Sequence, residues 1–181
     1  MRSLAVAIYA WGGGAAFAAA LGYFAYTFGA TMGRAVPAGT PGTGVGAILI
    51  DVALFAAFAA HHSAYARERV KRGVARAVSP ALERSTYVWV SSLLFILVCA
   101  AWQPVGGTLY AHRGLLAWLH APVAAAGVAL TAMGAFRLRA FDLAGIARAR
   151  GEEGEAGGSL VVAWPYTMVR HPIYLAWLLL V

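Results

Sequence analysis

Long apolar stretches separated by short polar connections are the main pattern along the chain. An α-helix needs about 20 residues to cross the hydrocarbon core of a bilayer. Four stretches approach or exceed that length: Leu4 to Ala30, Val45 to Ala66, Thr86 to Trp102 and Leu115 to Phe136. A fifth begins at Pro172 and runs to Val181. Since a backbone in lipid must satisfy its own hydrogen bonds, the pattern predicts an all-α bundle with four full spans and the start of a fifth.

The amino-acid composition excludes a soluble protein. Of 181 residues, 61% are hydrophobic and 12% are charged, against about 45–50% and about 25% in soluble domains. A surface in water needs more polar cover than 14 basic and 7 acidic side chains supply. The mean hydropathy of +0.71 agrees. We expect residues 1–181 to form a single membrane-embedded domain.

The charge of the chain predicts its orientation in the membrane. The formal net charge of +7 would suggest a nucleic-acid partner in a soluble protein, but here the basic residues lie in the connections and no nucleic acid is predicted. If the N-terminus is cytoplasmic, all but Arg34 and Arg113 of the 14 basic residues fall on the cytoplasmic side. Because cytoplasmic loops carry the excess of Lys and Arg, we expect this orientation in a bacterial inner membrane.

The connection from Arg67 to Arg84 is a basic segment that ends in a turn at Ser79-Pro80. Its pattern predicts a surface helix able to lie on anionic lipid headgroups, so membrane lipid is a predicted partner.

Two patterns concern helix packing. Gly14, Ala18 and Gly22 are spaced four apart, which favours close approach of another helix. Tyr87 and Trp89 fall near a span end, where amphipathic rings favour the membrane interface.

Ionisable residues inside a membrane are costly and need an explanation. Asp51 lies within the second stretch, and we expect a structural pairing rather than catalysis, with a partner that the pattern does not identify. His61 and His62 are adjacent, so on a helix they point about 100° apart and do not suit one metal ion. No metal site is predicted, although a haem or metal bridge between His62 and His171 is an alternative.

The segment around Pro172 concentrates polar residues directly before an apolar stretch. Proline suits the first turn of a helix, where its missing N–H would be unpaired anyway. His171 then lies at the helix entrance, beside exposed backbone donors and the positive end of the helix dipole. Arg170 adds a cation that can hold a carboxylate through two parallel hydrogen bonds. The segment therefore predicts a site for an anionic group.

Arg170-His171-Pro172-Ile173-Tyr174, preceded by Pro165-Tyr166, resembles the RHPxY motif of the isoprenylcysteine carboxyl methyltransferase superfamily. Further segments resemble markers of its bacterial branch, which includes methanethiol S-methyltransferases and denitrification-associated relatives. These segments are His61-His62-Ser63 with Ala66-Arg67, Glu83-Arg84-Ser85-Thr86-Tyr87, Trp102-Gln103-Pro104, and Phe141-Asp142-Leu143 with Gly145.

The resemblance implies an integral membrane methyltransferase that uses S-adenosylmethionine, with the cofactor site facing the cytoplasm. By this resemblance, the residues lining the cofactor site are Tyr166, Arg170, His171, Pro172 and Tyr174. Arg170 would also act in catalysis, and we expect His62 to contact the methyl acceptor, which is a small thiol or a lipid-like molecule.

The resemblance also implies a longer protein, because the family continues past the RHPxY helix into another hydrophobic segment and a cytoplasmic tail. We therefore expect the domain to be incomplete at its C-terminus. Two alternatives follow: a non-enzymatic membrane module that binds haem or metal through cytoplasmic-side histidines, and an inactive fragment of the methyltransferase. The sequence makes no prediction of the oligomeric state.

Overall fold

Six α-helices have their bounds within the part of the chain described by the computed structural model, which comprises residues 4–107, 113–137, 146, 163–169 and 172–180. They are α1 Leu4–Thr27, α2 Val45–Tyr65, α3 Glu68–Ala77, α4 Glu83–Ala101, α5 Leu115–Arg137 and α6 Pro172–Leu180. A π-helical turn, Phe28–Met32, extends α1. These ranges contain no β-strand beyond an isolated antiparallel bridge between Val36 and Gly107. The all-α prediction is confirmed.

Four helical segments are long and apolar enough to cross a membrane: Leu4–Met32, Val45–Tyr65, Glu83–Ala101 and Leu115–Gly134. Each coincides with a predicted apolar stretch to within a few residues. Helix α6 begins at Pro172, as expected from a residue that lacks an N–H. The prediction of four spans followed by a further helix is confirmed for their length and composition.

The helices fall into two compact units, the first containing α1 to α4 and the second containing α5 and α6. In the first unit, α4 packs against both α1 and α2. In the second unit, α5 packs against α6. Helix α4 is therefore the element through which α1 and α2 are connected.

The contact between α1 and α4 places a large ring on small residues. The indole of Trp89 lies over Gly12 and Gly13, so close that a Cβ added to Gly12 would lie 2.8 Å from Cζ2 of Trp89. The same indole donates a hydrogen bond from Nε1 to the backbone oxygen of Tyr9 at 3.0 Å. Trp89 therefore packs between helices, a contact that its position near a span end did not predict.

Two positions of the predicted small-residue stripe on α1 make no close helix contact in the described part of the chain. Ala18 and Gly22 are exposed, and a Cβ added to Gly22 would have no neighbour within 4 Å among the described residues. The buried positions of α1 are instead Ala10, Gly13, Ala20 and Thr27. The last three are seven residues apart, which is nearly two helical turns, so they share one face.

Asp51 has the structural partner that its position in α2 requires. Its side chain is 6% exposed, and Oδ1 accepts a hydrogen bond from the backbone N–H of Gln103 at 2.8 Å. Gln103 is the second residue after the end of α4, so the carboxylate ties α2 to that end. A second hydrogen bond joins the segment before α2 to the segment after α4: Gly106 donates its N–H to the backbone oxygen of Thr43 at 3.1 Å. The expected pairing is confirmed.

The predicted basic surface helix corresponds to α3. It ends at Ala77, ahead of the predicted turn at Ser79-Pro80. Ser79 has a φ of 139°, a conformation that residues other than glycine rarely adopt. The backbone oxygen of Ser79 accepts hydrogen bonds from the N–H groups of Leu82 and Glu83, which leads the chain into α4.

We predict that Gly12→Ala lowers the free energy of unfolding by about 1–2 kcal/mol, because the added methyl overlaps an indole that is held by its bond to Tyr9. Gly22→Ala is the matched control. It adds the same methyl where no atom lies near, and the higher helix propensity of alanine raises stability by up to about 1 kcal/mol. Thermal unfolding in neutral detergent measures both, and equal effects would contradict the packing.

We predict that Asp51→Leu destabilises the first unit by about 1–3 kcal/mol, because it removes the acceptor of the half-buried Gln103 N–H. Asp51→Asn keeps an oxygen at the accepting position and replaces an Oδ2 that has no hydrogen-bond partner in the described residues. It should unfold close to wild type in the same assay. An Asn variant as unstable as the Leu variant would show that the charge, and not the hydrogen bond, is required.

Candidate functional site

The RHPxY segment lies at the start of α6, in the second unit. Pro172 opens the helix and is buried to below 2% exposure. Arg170 and His171 lie outside the described residues, as does the side chain of Tyr174. The first backbone N–H groups of a helix have no acceptor within it. The start of α6 therefore presents donors of the kind that bind anionic groups.

Tyr166 lies in a turn that is held against α5. Its N–H donates to the backbone oxygen of Ala163 at 2.8 Å, and the N–H of Met168 donates to that of Pro165 at 3.1 Å. Its hydroxyl donates to the backbone oxygen of Gly134 at 3.4 Å. Burial raises the pKa of the Tyr166 phenol above its usual range, so the hydroxyl remains a donor at neutral pH.

A second group of polar side chains lies where α2 ends and α4 begins. We call it the tyrosine–histidine cluster, and it consists of His61, His62, Tyr65, Arg84 and Tyr87. Tyr87 is its centre, with its hydroxyl 2.6 Å from Nδ1 of His62. The ring of His61 is stacked on that of Tyr87 at 5.8 Å between centroids. The Arg84 guanidinium lies 5.5 Å above the same ring, a cation–π arrangement.

Tyr65 closes the buried side of the cluster. Its ring lies 4.6 Å from that of Tyr87, and its hydroxyl donates to the backbone oxygen of Glu83 at 2.7 Å. Both Tyr65 and Glu83 are buried. The cluster is therefore supported from within the bundle.

His62 is the exposed histidine of the cluster. Tyr87 occupies its Nδ1, while Nε2 makes no hydrogen bond within the described part of the chain. When Nδ1 carries the proton and donates it to the Tyr87 oxygen, Nε2 holds a free lone pair. The arrangement can orient His62 to accept a proton or a hydrogen bond from a ligand.

Sequence reasoning selected His62 but missed Tyr87 as its partner. The two residues belong to two segments that resemble markers of one branch, and they lie near the ends of consecutive spans on the same predicted side. That coincidence was the available signal. Among the described residues, no group of three or more His, Cys, Asp or Glu side chains could hold a metal ion.

The described residues define an all-α protein in which four helical segments are long and apolar enough to cross a membrane. The chain is 35% identical, over 97% of its length and 70% of the relative's, to methanethiol S-methyltransferase 2 of Bradyrhizobium diazoefficiens. It is 36% identical to a methanethiol S-methyltransferase of Crocosphaera subtropica over 75% of this chain and 54% of that one. The protein of the same name from a Pseudomonas species is 33% identical over 74% and 53%, respectively.

The chain belongs to the methanethiol S-methyltransferase family, and the resemblance to that branch of the superfamily is confirmed. It spans 70% of the Bradyrhizobium protein and about half the length of the other two relatives. No protein-family model and no solved structure matches it.

We predict that Tyr87→Phe removes the hydrogen bond at Nδ1 of His62 while leaving the cluster packed, because the ring remains and only the hydroxyl is lost. In protein labelled with ¹⁵N-histidine, the side-chain resonances of His62 should shift while most signals of the five histidines stay in place. Tyr26→Phe removes a hydroxyl from a residue that is 69% exposed and should change none of them. Unchanged His62 resonances in Tyr87→Phe would contradict the hydrogen bond.

Proposed function

We propose that this chain acts as an integral membrane methyltransferase that uses S-adenosylmethionine to methylate a small thiol. The observation that carries the proposal is its alignment, along 97% of its length, with a methanethiol S-methyltransferase. The names of the relatives specify methanethiol as their acceptor. Methanethiol is accordingly the acceptor that we propose here.

The RHPxY segment suits the proposed cofactor in the chemistry of its donors. The start of α6 and the Arg170 guanidinium provide backbone and side-chain donors for a carboxylate. The aromatic rings of Tyr166 and Tyr174 provide faces that attract a cationic sulfur. With His171 and Pro172, these are the residues that we propose to hold S-adenosylmethionine.

His62 is the residue that we propose to act on the acceptor. Bound S-adenosylmethionine would supply a methyl group on a positively charged sulfur, and a thiol that takes up this methyl releases one proton. The Nε2 atom of His62 would receive that proton, while Tyr87 holds Nδ1 and so orients the ring. Such positioned proton transfer contributes about a hundredfold or more to the rate of an enzyme.

The charge distribution supports a cytoplasmic location for these groups. His62 lies in the last turn of α2, directly before the basic connection that begins at Arg67. Arg170 lies in the other basic connection. We therefore propose that the N-terminus and both connections face the cytoplasm of a bacterium, with the helices in its inner membrane.

We predict that the purified chain in neutral detergent binds S-adenosylmethionine in calorimetry and converts methanethiol to dimethyl sulfide, measured by headspace gas chromatography. His171→Ala should abolish cofactor binding. His62→Ala should leave cofactor binding intact and lower the rate about a hundredfold, because only proton removal is lost. His120→Ala, which changes a histidine in another span, should alter neither quantity.

The His171→Ala and His62→Ala variants test the cofactor site and the proton acceptor separately. Binding that His171→Ala leaves unchanged would overturn the assignment of the RHPxY segment, and absence of cofactor binding would favour the alternative of an inactive fragment. A His62→Ala variant with the wild-type rate would overturn the role of His62 while leaving the cofactor site in place.

A further inference from the structure

Helix α3 joins two candidate spans through short connections. It begins at Glu68, soon after α2 ends at Tyr65, and ends at Ala77, six positions before α4 begins at Glu83. Its ten residues give a length of about 15 Å. Because the connections are so short, α3 must stay near the level at which α2 and α4 leave the membrane.

The two sides of α3 differ in polarity. Val70, Val74 and Val78 follow one another at intervals of four, and Val70 and Val74 are half-buried. Arg69, Arg72 and Arg76, all exposed, are spaced by three and four residues. A turn of 100° per residue places the three arginines together, opposite the valines. We call these three residues the arginine face.

None of the three arginines forms an ion pair with an acidic side chain in the described part of the chain. Lys71 pairs with Glu68 at 2.9 Å, and this ammonium lowers the pKa of the Glu68 carboxyl, so that the pair remains ionised and neutral overall. Arg72 donates from Nε to the backbone oxygen of Glu68 at 3.4 Å and adds a weaker attraction to the Glu68 carboxylate, whose charge Lys71 already balances. Three guanidinium charges therefore face outward from one side of a short helix.

We propose that the arginine face of α3 binds the headgroups of anionic phospholipids at the membrane surface. A guanidinium can bind a phosphate through two parallel hydrogen bonds. An amphipathic helix in the interface directs its apolar side inward and its basic side towards the headgroups. Lipid phosphates are held at the height of α3 by the same membrane that α2 and α4 cross, which favours lipid over a soluble acidic partner.

The proposal is tested by the thermal unfolding of the purified chain in neutral detergent, titrated with phosphatidylglycerol or with phosphatidylcholine of the same acyl chains. We expect phosphatidylglycerol to raise the unfolding temperature saturably, and phosphatidylcholine to have little effect. Arg69→Gln with Arg76→Gln should weaken the apparent affinity about 25-fold, since each basic residue near an anionic surface contributes about fivefold.

Controls with the same number of substitutions decide the assignment. Arg34→Gln with Arg113→Gln removes two positive charges from other connections and should retain the affinity. Arg69→Lys with Arg76→Lys keeps both charges but loses the parallel hydrogen bonds, so it should weaken the affinity less than the glutamine variant does. If the glutamine variant does not fold, wild-type protein still provides a test, because high salt should suppress the effect of phosphatidylglycerol.

Three results would overturn the proposal. The first is equal stabilisation by phosphatidylcholine. The second is an affinity for phosphatidylglycerol that stays unchanged in the Arg69→Gln, Arg76→Gln variant or at high salt. The third is the same stabilisation by water-soluble glycerol phosphate, which would indicate a free phosphate ligand.

Discussion

The structure of the first unit depends on one constraint: a polar group inside an apolar bundle needs a hydrogen-bond partner. Water is excluded from the hydrocarbon region, so an unpaired donor or acceptor there costs several kcal/mol. Helix α4 supplies partners near both of its ends: the Gln103 N–H just beyond its end binds the buried carboxyl of Asp51, and the Tyr87 hydroxyl near its start binds the exposed His62. Two bonds so far apart along α4 hold both the tilt and the register of α2.

Helix α4 contacts α1 through another of its sides. Trp89 follows Tyr87 by two residues, and a separation of about 200° around a helix directs the two rings to opposite sides. Tyr87 therefore meets α2, while Trp89 meets α1. In lipid, apolar surface gives little drive for helices to associate, so the close contact of the indole with Gly12 contributes through van der Waals packing. The position of the tyrosine–histidine cluster thus depends on packing at the other side of α4.

The sequence predicted the helices well because their limits follow from local chemistry. Apolar length defines the spans, and the ring of Pro172 defines where α6 begins. Contacts between helices depend on rotation about each axis, which local patterns do not encode. The small-residue stripe is an example: glycine and alanine are so frequent in α1 that several stripes are equally plausible, and the one containing Gly13 makes the contact.

In the candidate site, too, the sequence predicted individual residues but not the contacts between them. Polarity within an apolar stretch identified Asp51 and His62, but their partners could not be read from side-chain patterns. The partner of Asp51 is a backbone N–H, a group that every residue except proline carries. The partner of His62 is a tyrosine whose expected role was at the lipid interface. The roles of Arg170 and His171 rest on the motif alone and remain predictions.

The proposed lipid contact and the proposed proton acceptor belong to one continuous stretch of chain. His62 lies in the last turn of α2, and the backbone N–H of Ala66 still donates to its carbonyl oxygen. The arginine face begins at Arg69, only two turns further on. A headgroup that holds α3 therefore limits the fraying of the turn that carries His62, since a helix terminus unwinds from its free end. Tyr87 limits the same motion from the side of α4, so with the proposed lipid contact the imidazole would be held by protein on one side and by the membrane on the other.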